Sequence, residues 1–442
     1  MKNIKRVTAL TLAMVMAGSL LAGCGGKEAE QPAQTADGTE ASGGGKKELN
    51  ILMEDVPDTD YVIDLLDDFE AATGIKVNIE SVTYSIMHEK LLTQLTAKES
   101  NYDVLVVDNY WVGEFVEAGW MEDLGPYVEK SGFDTSNYVD TMWNMVGEVD
   151  GTAYMIPFYN YMFSLIYRTD VFEDPELQAA YKAEYGRDLV MPCDSMEEYV
   201  NITKFVTAQS GPKLCGTVNQ AMRADPIAME FCSYLYSCGG YFYDDQGNVT
   251  INDEHALKAL ELYCDSVQNA STEGAAGFAL DEAFNVYSQG GAASYITHNW
   301  MLPKLEDPAQ SQVAGLSGIA NIPGGHAQNG GWGWAIPSNA TDKDASWSFI
   351  EFIESFESCK TRALAGGSPT RTDVFNDEEV MAKYPTNEVV LEIMNNAMMI
   401  PILADAPQLV EVMGRELSEA VNGDKTPQEA LDIIAQELEK MN

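Results

Sequence analysis

The most constraining stretch of the sequence is Val104-Leu105-Val106-Val107, a run of β-branched and aliphatic residues with no polar alternation. Such a run suits a parallel strand covered on both faces, since only the helices of βα crossovers bury both sides of a sheet. Two units of the kind precede it. Leu49 to Met53 reads as a strand, and a helix follows with Asp58 or Thr59 as N-cap candidates. Its apolar positions Val62, Leu65, Leu66 and Phe69 recur at helical spacing, and Gly74 stands just past its end. Ile75 to Ile79 alternates like a second strand, and Met87, Leu91, Leu92 and Leu95 mark a second helix. The order β-α-β-α-β predicts doubly wound α/β architecture, in which ligands sit beyond the carboxyl ends of the strands. The third strand runs into Asp108-Asn109-Tyr110-Trp111, so a carboxylate, an amide and two aromatics stand at such an end.

The 442 residues exceed what one hydrophobic core usually organises, so two lobes are expected. Acidic residues outnumber basic ones 69 to 26, a net charge of −43 that would repel phosphate backbones and anionic headgroups. No nucleic-acid partner is therefore expected.

The chain begins with Lys2, Lys5 and Arg6, followed by an apolar stretch from Val7 to Leu21 that is short for a membrane span and suited to a signal segment. It ends in Leu21-Ala22-Gly23-Cys24, which resembles a bacterial lipobox. Residues 1–23 are thus expected to be a cleaved lipoprotein signal, and Cys24 a diacylglycerol-bearing residue holding the protein in the lipid bilayer. Residues 24–47, rich in Gly and Ala with scattered Glu and without large apolar residues, read as a flexible tether. An extracytoplasmic protein anchored to the outer face of the cell membrane is the expectation, two acyl chains being what stable attachment needs.

Several segments together resemble the family 1 extracellular solute-binding proteins of ABC importers, the maltose-binding-protein-like group and its sugar-binding branch. They are Phe69 to Val77, Tyr102-Asp103-Val104, Phe115 to Leu124, Tyr154 to Tyr159, Leu165 to Phe172, Asp244 to Ile251, Gln289 to Ala293 and Gly330 to Pro337. The resemblance implies a two-lobe periplasmic-binding-protein-like (type II) fold with a ligand cleft between the lobes and three hinge crossings, near Pro157-Phe158, Thr297-His298 and Pro337-Ser338. One lobe would comprise residues 48–157 and 298–337, the other 158–297 and 338–442. The implied function is capture of a sugar, oligosaccharide or polyol by hinge closure, and its delivery to the permease subunits of an ABC importer. The protein would act as a monomer without cofactor.

Carbohydrates present many hydroxyls and a weakly apolar C–H face, so aromatic planes and charged or amide groups suit them. Candidates by position are Glu54, Tyr84, Asp108, Tyr110, Trp111, Tyr159, Asn160, Tyr241, Tyr243, Trp300, Trp332, Trp334 and Arg371. The family often carries a Met-Trp pair after the segment matched by Gln289 to Ala293. Here the run is Ser294 to Trp300, which makes Trp300 the candidate wall. His298 reads as a hinge residue in preference to a ligand contact.

Enzyme motifs are missing: the sequence holds no G-x-x-x-x-G-K-[ST], H-E-x-x-H or G-x-S-x-G, and its four histidines have no metal-ligand spacing. No catalytic or metal-binding residue is assigned. Ser210-Gly211-Pro212-Lys213 fits S-x-x-K without the K-T-G that accompanies it. Alternatives are a polyamine or other small solute, held by carboxylates such as Glu54 and Asp108, and a secreted glycosidase, which needs only two carboxylates across a cleft. The six cysteines after Cys24 include no C-x-x-C and read as buried small hydrophobes, with an extracytoplasmic location leaving a disulfide bridge open as the alternative.

Overall fold

The computed structural model describes residues 48–441. The expected signal, the Cys24 lipidation site and the tether lie outside the described residues. Among the described residues ten strands occur in chain order: β1 (Glu48–Glu54), β2 (Lys76–Val82), β3 (Val104–Asp108), β4 (Glu148–Val149), β5 (Thr152–Ala153), β6 (Ile156–Tyr159), β7 (Phe163–Arg168), β8 (Ser294–His298), β9 (Ser317–Ala320) and β10 (Trp332–Ala335). They form a five-stranded sheet of order β2-β1-β3-β10-β6, a three-stranded sheet of order β8-β7-β9, and the small β4-β5 ladder.

The first three strands pair in parallel, with Ile51 opposite both Ile79 and Val104, and every residue of β3 is buried. The expected crossover is two short helices, Pro57–Ile63 and Leu66–Thr73. Gly74 ends the second at φ +72°, a left-handed conformation that costs glycine little. Asp58 and Thr59 do not cap it. Pro57 starts the first helix, Thr59 Oγ1 donates to the Glu54 carbonyl at 2.6 Å, and buried Asp58 accepts from the Ser368 N–H and the Tyr161 hydroxyl, each at 3.0 Å. Phe69 packs edge-on to Phe349 and Phe352, both at 5.4 Å between ring centres.

β10 enters the large sheet antiparallel to both β3 and β6, whereas β9 pairs with β7 in the small sheet. The chain therefore returns to the large sheet between residues 320 and 332, not at Thr297-His298, because β8 and β9 both pair with β7. Pro337-Ser338 is not a crossing either: it runs along residues 119–121, the Ser338 N–H donating to the Trp120 carbonyl at 2.7 Å. The helix Lys343–Ile353 places Phe349 against Trp334 and Phe69, so the chain stays beside the large sheet where the second lobe was expected. Farther on, helix Ala406–Val421 packs against helices Asp225–Ser237 and Glu254–Asp265.

Three segments lie side by side between the sheets. The Phe163 N–H donates to the Gln328 carbonyl at 3.0 Å, the Asn329 N–H to the Met398 carbonyl at 2.6 Å, and the Met398 N–H to the Ala327 carbonyl at 2.8 Å. A Cβ at Gly330 would stand 2.7 Å from the Tyr161 carbonyl oxygen, so this close approach requires glycine.

The last helix, Pro427–Leu438, opens with a capping box. The Glu429 N–H donates to Thr426 Oγ1 at 3.3 Å, and the Thr426 N–H to the Glu429 carboxylate at 2.9 Å. All six cysteines of the described residues are free thiols. No helix among the described residues is long and apolar enough to cross a membrane.

Replacing Phe69 with alanine removes a fully buried ring between two others. We expect the variant to lose about 3–5 kcal/mol of stability, read as a lower urea midpoint with unchanged slope.

Candidate functional site

A cavity of about 490 Å3 opens where the parallel strands end, within the range of small-molecule sites. Glu54 and Asp108, the last residues of β1 and β3, line it, together with Tyr84 at the start of helix Tyr84–Leu95, Tyr110, and Trp332 at the start of β10. The opposite side comes from Asp225 at the start of its helix, Asp281 and Glu282 in the first turn of helix Leu280–Ser288, and Phe163, His298 and Trp300 beside the small sheet. The walls therefore come from both sheets.

Six sequence candidates meet here: Glu54, Tyr84, Asp108, Tyr110, Trp300 and Trp332. Trp111 lies one layer behind, 3% exposed, stacked on Tyr84 at 5.5 Å and edge-on to Trp332 at 5.4 Å. Tyr159 supports Glu54 from below, its hydroxyl donating to Oε2 at 3.0 Å.

The other five candidates are placed elsewhere. Asn160 bonds the Pro369 carbonyl and receives the Asn299 amide at 2.8 Å. Trp334, two residues past the cavity, is fully buried with its indole N–H on Glu354 at 2.9 Å. Arg371 clasps Asp373 and donates to the Glu354 carbonyl while lying over the Tyr138 ring. Tyr241 is 41% exposed, and Tyr243 belongs to a turn bridged to Val249 and organised by Asp244.

Sequence reading missed Tyr161, Asp225, Asp281, Glu282 and Gln328. Two signals were available: an acid directly before proline in Asp225-Pro226, and the amide pair Gln328-Asn329 just ahead of the Trp332 strand. Ala224, preceding Asp225, adopts φ +143°, a region L-residues rarely enter, and its carbonyl oxygen would lie 2.6 Å from a Cβ on Gly414.

The lining is dominated by acceptors. Tyr84 and Tyr110 hydroxyls bond each other, and Asp108 accepts weakly from Tyr84 at 3.5 Å. Gln328 is 3% exposed; its amide N–H group donates to the Asn329 carbonyl at 2.8 Å, while its Oε1 has no hydrogen-bond partner. His298 Nδ1 lies 2.9 Å from the Tyr161 carbonyl, which can only accept, so Nδ1 carries the proton and Nε2 keeps a lone pair. Burial lowers the His298 pKa to about 4, and its ring is neutral at pH 7.

Burial also pushes Glu54 up to about 7, with Asp58 and Asp55 adding repulsion and the Tyr159 hydroxyl opposing it. Asp108 is raised well above the carboxylate range, first by burial and then by Glu54 and Asp225; burial raises Asp225 too. No ion pair involves Glu54, Asp108 or Asp225 among the described residues, nor is there a group of three His, Cys, Asp or Glu placed to hold a metal ion.

The Glu54 shift has a definite sign in stability. Between its unfolded value of 4.5 and about 7, the folded chain binds the extra proton, so this group makes stability fall as pH rises through that window. Glu54→Gln is expected to match the parent at pH 4 and exceed it at pH 8 by about 1–3 kcal/mol, measured by urea unfolding at both pH values.

Comparison with known proteins places this geometry among relatives. A solute-binding protein of an ABC transporter from Agrobacterium radiobacter K84, solved with ribitol, superposes with a TM-score of 0.78 at 25% identity, covering 89% of this chain and 98% of that one. The maltose-bound MalE3 of T. maritima gives 0.77 at 25% identity, covering 89% and 100%. In sequence, an erythritol/L-threitol-binding protein of Mycolicibacterium smegmatis is 23% identical over 74% of this chain and 71% of its own length. A probable amino-acid ABC transporter periplasmic-binding protein of Sinorhizobium fredii is 24% identical over 84% of each. The pattern that defines the bacterial extracellular solute-binding proteins matches residues 54–357, well over half of the sequence, and the chain belongs to that family.

Proposed function

We propose that this protein is the receptor of an ABC importer, taking a sugar, oligosaccharide or polyol into the cavity beside Glu54 and handing it to membrane permease subunits. The observation that carries the reading is the cavity itself. Tyr84, Tyr110 and Trp332 face it from the large sheet, Tyr161 joins them beside Tyr159, Trp300 lines it beside the small sheet, and carboxylates and amides complete the lining. Flat aromatic faces take the C–H side of a sugar ring, and the polar groups fix its hydroxyls. Relatives solved with ribitol and maltose favour this class of ligand.

Because the walls come from both sheets, a solute can touch both sets only when they approach each other. Binding then selects the closed arrangement by the contacts it alone provides, and the three bonded segments around Phe163, Gln328 and Met398 are the place for the bending. Capture is proposed without turnover, by a monomer held outside the membrane by diacylglycerol on Cys24.

Thermal unfolding of the full chain against a panel of sugars, oligosaccharides and polyols tests the reading, since a ligand of the folded state raises the melting temperature. A carbohydrate that shifts it and is recovered intact supports capture; cleavage of a glycoside would make the protein an enzyme. Trp300→Ala is expected to weaken that carbohydrate about tenfold or more by calorimetry, at little cost in unfolding, because the ring is only half-buried. Cys24→Ser is expected to move the protein from the membrane fraction to the soluble fraction of the producing cells.

A further inference from the structure

The cavity lining carries five carboxyl side chains, Glu54, Asp108, Asp225, Asp281 and Glu282, which is more acid than a wholly neutral solute calls for. A hydroxyl brings both a donor and an acceptor, so a site for hydroxyls alone should offer both kinds of partner. Some donors are committed: one hydrogen of the Tyr84–Tyr110 hydroxyl pair, the Tyr161 hydroxyl to Asp58, and one N–H of the Gln328 amide to Asn329, which leaves the indoles of Trp300 and Trp332 as the main side-chain donors on the lining. The acceptors stay open. Gln328 Oε1 is buried without a partner, His298 Nε2 keeps its lone pair, and the Glu54 and Asp108 carboxyls each receive few or long hydrogen bonds.

Charge points the same way. Among the described residues no lysine or arginine lines the cavity; Lys304 lies over the Trp300 ring at 4.6 Å without joining the lining. The partial positive charge at the N-termini of helices Asp225–Ser237 and Leu280–Ser288 is met by Asp225, Asp281 and Glu282 in their own first turns. Glu54 and Asp108 have no such counter-charge. An ammonium group is a compact donor of three hydrogen bonds with nothing to accept, and aromatic faces attract it.

We infer that the solute selected by this cavity carries a protonated amine, seated against Glu54 and Asp108 between the rings of Tyr84, Tyr110 and Trp332. The inference rests on the reading of this cavity as the ligand site, and it narrows the carbohydrate to an amino sugar or amino polyol. Burial holds both carboxyls toward their protonated form and an ammonium beside them favours ionisation, so binding is accompanied by proton release near neutral pH.

Calorimetry on the full chain at pH 7 with matched pairs decides it. The probes are glucosamine, galactosamine and mannosamine against glucose, galactose and mannose, glucamine against sorbitol, the N-acetylated sugars, and separately spermidine and putrescine. At least one amine is expected to bind about tenfold or more tightly than both its neutral parent and its N-acetyl form. Added NaCl should weaken it, and Glu54→Gln should shrink the preference. Asp108→Asn is the second variant, and the matched pairs on the parent chain decide the matter if neither variant folds.

A neutral parent that binds as well as its amine overturns the inference and leaves the carbohydrate reading standing. Binding by spermidine or putrescine alone upholds the ammonium seat and overturns the carbohydrate reading. Binding by no amine overturns the inference, and silence from the neutral panel as well overturns both.

Discussion

Strand β10 is the piece on which the arrangement depends. Four residues, Trp332 to Ala335, fill the gap between β3 and β6, and without them the large sheet would have two unfinished edges. Their antiparallel pairing means that the chain must leave the sheet after β6, build β7 to β9 elsewhere, and come back. The second sheet, the three segments bonded side by side near Gln328, and a cavity walled from two sides all follow from that departure and return. The same strand delivers Trp332 to the cavity and Trp334 to the core, where the Trp334 indole joins the buried Glu354 and Arg362 pair. That pair is a costly element held in place by several hydrogen bonds at once, and removing either member would strand a charge away from water.

The electrostatic character of the cavity arises from two facts of different scale. Across the chain an excess of acids gives a field that gathers cations and repels anions. Locally, β1 and β3 both end in carboxylates because the ends of parallel strands open onto the cavity, and burial there makes ionisation unfavourable unless something positive or donor-rich arrives. Glu54 is poised accordingly: pushed up to about 7, it is divided between its two protonation states near neutrality and shifts toward the ionised one beside a suitable guest.

Much of the large sheet was legible in the sequence, since the apolar run of β3, the alternation of β2 and the glycine at position 74 are local signals with local causes. The carboxylates and rings at the strand ends followed from that topology, and Trp300 from comparing the run Ser294 to Trp300 with the segment of the family it resembles. The hinge was placed less well. Thr297-His298 ends a strand, as a crossing often does, but pairing of β9 with β7 is a long-range fact that no local pattern announces. Asp225, Asp281 and Gln328 reach the cavity from helix starts and a loop far apart in sequence, and each resembles an ordinary cap or turn residue. Trp334 and Arg371 were chosen for their chemistry; both are absorbed by Glu354, a carboxylate whose buried position the sequence does not reveal.

The return of β10 has a consequence for how the molecule is made. Its partner Asp108 lies roughly 220 residues earlier, so the first sheet is closed by a contact of very high sequence separation. A growing chain that has already produced β1, β2 and β3 still shows a bare edge on β3 until residue 335 emerges. Completion is therefore a late event, and contacts of this sequence separation are slow to form.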